Sequence, residues 1–350
     1  MTNLLFILVF GCLCGIYLIW GVLVLPQERW QILATLPKHR TEGGAWDGIN
    51  LTWYGCLSAN AYLVALAVFL ILTGTLQLPL STMGTFIVAL LAVCIPASRL
   101  VARVVEKKAH TLTVGGAVFV GLIVAPWLLG ALNLLAKQTH AEVLPVYPVL
   151  AALGISYAFG EGLGRLACLS FGCCYGKPID ECSALIQKLF APLTIQYFGT
   201  TKKASYASNL EGVRVLPVQA LTAALYVLSG LFGIALFLSG FFIPAFVLMV
   251  IVTQGWRVLS ELLRADYRGS GMLTAYQWMS ALAIPYALLL PSLFSVQPVD
   301  APNLWQGLTF LWHPGLLLTL QIFWLFIFLL TGCSAVTGAT LSFHVHHERI

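Results

Sequence analysis

The sequence predicts an all-α, polytopic integral membrane protein of about nine transmembrane helices, and three observations carry that reading. Of its 350 residues, 59% are hydrophobic and only 9% are charged, roughly a third of the charged share usual in soluble domains. Several apolar runs reach the roughly 20 residues that cross a bilayer as a helix. A helix is also the open structure that satisfies its own backbone in hydrocarbon.

In chain order, spans are predicted near 4–25, 51–74, 83–102, 111–135, 144–163, 217–239, 241–260, 275–295 and 311–333, with eight as the alternative count. The first run begins MTNLLF, without Lys or Arg, and no small-residue cleavage site of the A-x-A kind follows. It therefore reads as a retained helix and not as a signal peptide. No internal repeat, heptad run or low-complexity linker separates the spans. Between the fifth and sixth lies a polar excursion, Gly176 to Leu216, holding Lys177, Asp180, Glu181, Lys188, Lys202, Lys203, Glu211 and Arg214. It is expected to be solvated, and to be the only sizeable extramembrane piece.

The net charge of +5 is spread thinly along the chain, which excludes nucleic acid as a partner and favours anionic lipid. If the spans alternate, Arg29, Lys38, Arg40, Arg103, Lys107, Lys108, the excursion, Arg264 and Arg268 fall at one face, with Lys137 almost alone opposite. The positive-inside rule would make that basic face cytoplasmic.

Ionisable residues within or beside spans are costly and mark function by default. Arg99, Glu161, Arg165, Arg257 and Glu261 qualify, all toward the same face. Arg257, Glu261 and Arg264 recur at i, i+4 and i+7, one stripe of a helix, and Glu161, Arg165 and Cys168 repeat that spacing. Taken singly, Glu161 with Arg165 and Arg257 with Glu261 read equally well as structural ion pairs. Two arginine-bearing helix ends at one face suit a phosphate, and phospholipid is the phosphate compound at that depth.

Of the nine cysteines, Cys12, Cys14, Cys56, Cys94 and Cys333 read as small apolar packing residues. Cys168, Cys173 and Cys174, with Cys182 beyond, lack paired C-x2-C knuckles, and no metal site is assigned to them. A disulfide within the excursion stays open if that face is oxidising. Gly160, Gly162, Gly164, Gly172 and Gly176 allow close approach of backbone or ligand and leave N–H groups for an anion. His344, His346 and His347 read as a solvated tail and not as metal ligands.

The stretch GRLACLSFGCCYG, 164–176, resembles the signature of the prolipoprotein diacylglyceryl transferases and their wider family. Three further segments follow the family's order: WYG at 53–55, PVQ at 217–219, and RVLSELLRADYRGSGMLTAYQ at 257–277, which is similar to the family's R-x3-E-x2-R segment. Arg99, in PASRL, corresponds to a further family arginine. The resemblance covers about 50–295 and implies three parts: an extra helix and loop at 1–50, a seven-helix transferase-like domain at 51–295, and an extra helix and tail at 296–350. It also implies transfer of the diacylglyceryl group of phosphatidylglycerol, or another anionic phospholipid, to the lipobox cysteine of a prolipoprotein, in the bacterial cytoplasmic membrane and without a cofactor. Tyr54, Arg165, Arg257 and Glu261 then match catalytic positions. Arg99, Glu161, Cys168, Gly172, Gly176, Gln219, Arg264, Asp266 and Gln277 match or adjoin substrate-binding ones.

The sequence departs from the family pattern at three places. Cys168 stands where the signature has asparagine, Val114 where a histidine precedes the glycine pair Gly115-Gly116, and Leu221-Thr222 where tyrosine and glutamate follow the PVQ-like motif. A non-catalytic phospholipid-binding or transport protein is therefore the alternative reading. The resemblance also turns the signature face outward, against the charge rule, and the excursion is expected on the periplasmic or exterior side.

Overall fold

The computed structural model describes residues 2–105, 113–139, 142–265 and 273–350. The elements run α1 (Thr2–Val24), β1 (Ile32–Arg40), β2 (Trp46–Thr52), α2 (Trp53–Gly74), α3 (Leu80–Val105), α4 (Val114–Thr139), α5 (Val146–Phe171), α6 (Ala184–Phe190) and β3 (Ile195–Gln196). They continue with α7 (Lys203–Ser208), β4 (Arg214–Val215), α8 (Val218–Leu238), α9 (Phe242–Leu263), α10 (Ala275–Leu293), α11 (Leu304–Leu311), α12 (Pro314–Gly332) and β5 (Cys333–Leu341). Among the described residues eight helices, α1–α5, α8, α9 and α12, are long and apolar enough to span a membrane. The ninth expected span is α10, which has 19 residues but carries Pro285 and Pro291 inside it and Tyr276 and Gln277 in its first turn. These residues dilute its apolar character, so it is not one of the eight.

Helix α5 is the axis of the bundle: 72% of its apolar window is buried, against 11% for α1 and for α12 at the rim. Lipid tails are as apolar as leucine, so helices associate in membranes through close packing of small residues. Gly160 and Gly164 face Ala65 and Ala61 of α2, Gly162 faces Tyr226 of α8, and Gly154 faces Met249 of α9. Phe159, Ile155, Leu150 and Leu129 fill the middle of the resulting core.

The excursion is not the only extramembrane piece, as the sequence reading held. Strands β1, β2 and β5 form an antiparallel sheet in the order β1-β2-β5, pairing Trp46 with Leu341 and Leu51 with Cys333. Asn50, at 3% exposure, ties the strands together: it accepts from Thr35 Oγ1 at 2.7 Å and donates to Thr337 Oγ1 at 3.2 Å. The third strand lies some 280 residues from its partner, so no local periodicity announces it. A Cβ on Gly55 would stand 2.2 Å from the Gly332 Cα, and that close approach brings the end of α12 against the start of α2.

The excursion packs on the same face. Gln31 Nε2 donates to the Thr201 carbonyl at 2.7 Å, and the Phe198 N–H to the Pro26 carbonyl at 3.1 Å. Lys202 is wholly buried, and its Nζ donates to the carbonyls of Leu25 at 3.0 Å and Ser170 at 2.7 Å. Those carbonyls close the last turns of α1 and α5, where a cation complements the helix dipole. One lysine therefore pins the excursion to two helix ends. A cavity of about 780 Å³ lies at the opposite end of α2, between Gly74, Leu80, Phe310, His313 and Leu316.

Candidate functional site

The site begins with the stripe that the sequence spacing drew on α5. Tyr157, Glu161, Arg165 and Cys168 follow one another at four, four and three residues, along one side of the helix. Arg165 and Glu161 form a hydrogen-bonded ion pair, with side chains only 15% and 12% exposed. From α9, Arg257 Nη1 donates to the Tyr157 hydroxyl at 3.2 Å. Tyr157 and Arg165 are separated by about 12 Å of helix rise, so the two arginines reach the stripe on either side of Glu161. The field of Glu161 acts on both guanidinium groups. Two cations against one anion leave a net charge of one positive unit. The Nε donors of Arg165 and Arg257 are buried and have no hydrogen-bond partner among the described residues. Buried donors are ordinarily satisfied.

The helix that starts beside Arg257 is shaped to admit it. A Cβ on Gly115, in the first turn of α4, would stand 2.6 Å from the Tyr276 ring and 3.0 Å from Arg257 Nη2. The second glycine of the pair, Gly116, serves packing, since its Cβ would stand 2.7 Å from Val101. Val114, just before them, is exposed.

At the C-terminal end of the stripe α5 stops at Gly172, whose φ of 70° is the left-handed cap that glycine adopts without strain. The Cys173 N–H then bonds the Cys168 carbonyl at 3.0 Å. Cys174 itself takes a positive φ of 57°. This doubled left-handed turn folds the chain back on the helix and brings the thiols of Cys168, Cys173 and Cys174 within 4.8 Å of one another. Hydrogen bonds from Cys168 and Cys173, and then the charges of Arg264 and Arg165, hold the Cys174 thiol well below its ordinary pKa. The Cys173 thiol is pushed up, first by its hydrogen bonds to its two neighbours and then by burial. Tyr54, in the first turn of α2, lies against this cluster, its ring 5.7 Å from that of Phe171.

The remaining candidates divide by what occupies them. Glu261 and Arg264 approach to 3.9 Å with side chains 4% and 7% exposed. The backbone of Arg264 bridges Gly176, and the Lys177 N–H bonds the Leu263 carbonyl at 3.0 Å, so the end of α9 is stitched to the end of the signature. Gly176 is there for space: a Cβ would stand 2.5 Å from the Leu216 carbonyl oxygen. Gln219 Nε2 donates to the Cys173 carbonyl at 2.8 Å and the Tyr197 hydroxyl at 2.6 Å, which supports the cysteine turn from below. Gln277 closes a capping box with Thr274 and donates to the Val258 carbonyl at 3.1 Å, so its amide is engaged at both ends. Arg99 is exposed on α3 and makes no described bond to the other candidates. Asp266 lies outside the described residues.

Sequence reasoning missed Tyr157 and Tyr276, and it expected Lys202 to be solvated whereas the structure buries it completely. Continuing the four-residue spacing one turn back from Glu161 would have found the first. The other two carry no local signal, because their partners are distant in sequence.

Compared with known proteins, residues 45–293 match the family model described as prolipoprotein diacylglyceryl transferase. No curated protein matches the chain.

Proposed function

The chain belongs to the prolipoprotein diacylglyceryl transferase family, and from that premise we propose that it moves the diacylglyceryl group of phosphatidylglycerol, or of a closely related anionic phospholipid, onto a thiol acceptor such as a lipobox cysteine. The observation that carries the reading is the pair of buried arginines flanking Glu161, each with its Nε unspent. A phosphodiester brings one negative charge to a site with one net positive charge, and its oxygens accept from both Nε donors. Permanently charged planar forks suit that task.

In the reaction the acceptor sulfur attacks the glycerol carbon that bears the phosphate, the carbon–oxygen bond breaks, and glycerol phosphate departs with a second negative charge. Arg165 and Arg257 stabilise that charge as it develops, and such preorganised contacts contribute most where water is excluded. Tyr54 and Glu261 complete the transfer residues: Tyr54 borders the path of the acceptor at the cysteine turn, and Glu261 holds the end of α9. Cys168, Gly172, Gly176, Gln219 and Arg264 shape the wall. The transferase-like domain is 51–295, with 1–50 and 296–350 as additions. The protein acts in the bacterial cytoplasmic membrane with the signature face outward.

The test is to incubate the purified protein with labelled phosphatidylglycerol and a lipobox peptide and to follow glycerol phosphate release. Release that depends on the peptide thiol supports transfer. Phospholipid binding without release, under conditions where an authentic transferase turns over, would replace this reading with a binding or transport protein.

A further inference from the structure

Three thiols gathered beside an arginine are more than a transferase of this kind requires. We propose that Cys168, Cys173 and Cys174 form a trigonal thiolate site for a thiophilic d10 metal ion, Zn²⁺ in the first instance, whose fourth position takes and activates the acceptor thiol. The inference rests on the transfer reading above for its role, though not for the existence of the site.

The geometry is the main support. The three sulfurs lie within 4.8 Å of one another. Thiolates bound at about 2.3 Å around one ion stand about 4 Å apart, so the side chains close on a metal by less than about an ångström. The turn that gathers them is built and held: Gly172 caps the helix in the left-handed region, Cys174 follows at a positive φ, and Gln219 grips the Cys173 carbonyl. Three protein ligands and one open position are the arrangement of catalytic zinc, whereas structural sites close all four.

Charge supports the same assignment. A divalent ion with three thiolates carries one net negative charge, and the guanidinium groups of Arg165 and Arg264 both act on the cluster. The site also adjoins the place where a nucleophile is needed, since Arg165 belongs at once to the stripe with Glu161 and to the surroundings of the thiols. Metal coordination is a route to a thiolate at neutral pH.

The step balances. The acceptor thiol displaces water from the fourth position and loses its proton to solvent. The bound sulfur then attacks the glycerol carbon as the carbon–oxygen bond breaks, and the departing phosphate leaves with the bonding pair. The product thioether is neutral and a weaker ligand than a thiolate, so it leaves the ion open for the next acceptor.

The experiment uses the full-length protein, purified reduced and metal-free, and titrated with Co²⁺ as a spectroscopic probe and with Zn²⁺. One equivalent of Co²⁺ is expected to give thiolate-to-cobalt charge-transfer absorption. Each of Cys168→Ser, Cys173→Ser and Cys174→Ser should weaken binding by more than the roughly 10–100-fold that loss of an outer-sphere partner produces, whereas Arg257→Ala should retain it. Adding a lipobox peptide should shift the cobalt bands, and its serine analogue should leave them unchanged. Absence of the charge-transfer band in a protein that still transfers lipid would overturn the site and leave the proposed function standing. So would a disulfide among these cysteines that persists in the active, Zn²⁺-treated protein. A metal-loaded protein whose bands respond to the thiol but which never releases glycerol phosphate would uphold the site and sink the transfer reading. Full activity after chelation would overturn the activating role.

Discussion

Arg257 on α9 donates to the hydroxyl of Tyr157 on α5 at 3.2 Å, and that one bond sets a guanidinium on the stripe that already holds Glu161 and Arg165. Arg257→Ala and Arg165→Ala are each expected to lower the rate of glycerol phosphate release by about 10²–10³, the cost of removing one preorganised charge contact. Tyr157→Phe keeps the charge and loses only its anchor, so a smaller loss of roughly tenfold is expected, in keeping with one hydrogen bond to a charged group. Initial rates across phospholipid concentrations check this. An Arg257→Ala protein with wild-type rates would remove that residue from the site.

Two glycines give opposite stability predictions. Gly176→Ala sets a Cβ 2.5 Å from a backbone oxygen that cannot rotate away, and overpacking of this kind costs about 1–3 kcal/mol or more. Gly84, inside α3, has nothing within 4 Å of a built Cβ, so Gly84→Ala should stabilise by up to about 1 kcal/mol through helix propensity. Thermal unfolding in one detergent should lower the midpoint for the first and leave or raise it for the second.

Burial pushes the Lys202 ammonium down from 10.5 to about 8. Between these values the unfolded chain holds a proton that the folded protein has shed, so stability rises with pH across the window from about 8 to 10.5. Below pH 8 both states are charged and the burial penalty is fully present, roughly 3 kcal/mol, offset in part by the two carbonyl bonds. The unfolding midpoint of the native protein, compared with that of Lys202→Met, should therefore climb from pH 8 to 10. Parallel curves for the two proteins would show that another group governs the pH dependence.

The sheet and the excursion share a face, which makes orientation testable at three points. In a background with the native cysteines replaced by serine or alanine, single cysteines at Thr340 and Lys188 should react together with a membrane-impermeant thiol reagent in intact cells. One at Asp300, beyond α10 on the opposite face, should react only after lysis. Reaction at Asp300 with protection of the other two would restore the orientation that the basic residues favour.

The spans and the α5 stripe were legible in the sequence because both follow from local rules. Apolar length predicts a helix in lipid, and the fixed turn of a helix places Glu161, Arg165 and Cys168 on one side whatever surrounds them. The N-cap at Thr52, with its side chain accepting from the Gly55 N–H at 3.4 Å, is equally local. What the tertiary structure alone decided is who stands opposite. Arg257 meets Tyr157 a hundred residues away, β5 closes a sheet begun by β2, and Lys202 reaches two helix ends from another segment. The three thiols show the boundary within a single motif. Their spacing carries no metal signature, because standard knuckles present their ligands from regular turns, whereas here Gly172 and Cys174, on either side of Cys173, both take a positive φ and reverse the chain onto its own helix. Dihedral angles of that kind depend on the Gln219 and Lys202 contacts that hold the turn, and those contacts exist only once the bundle has packed.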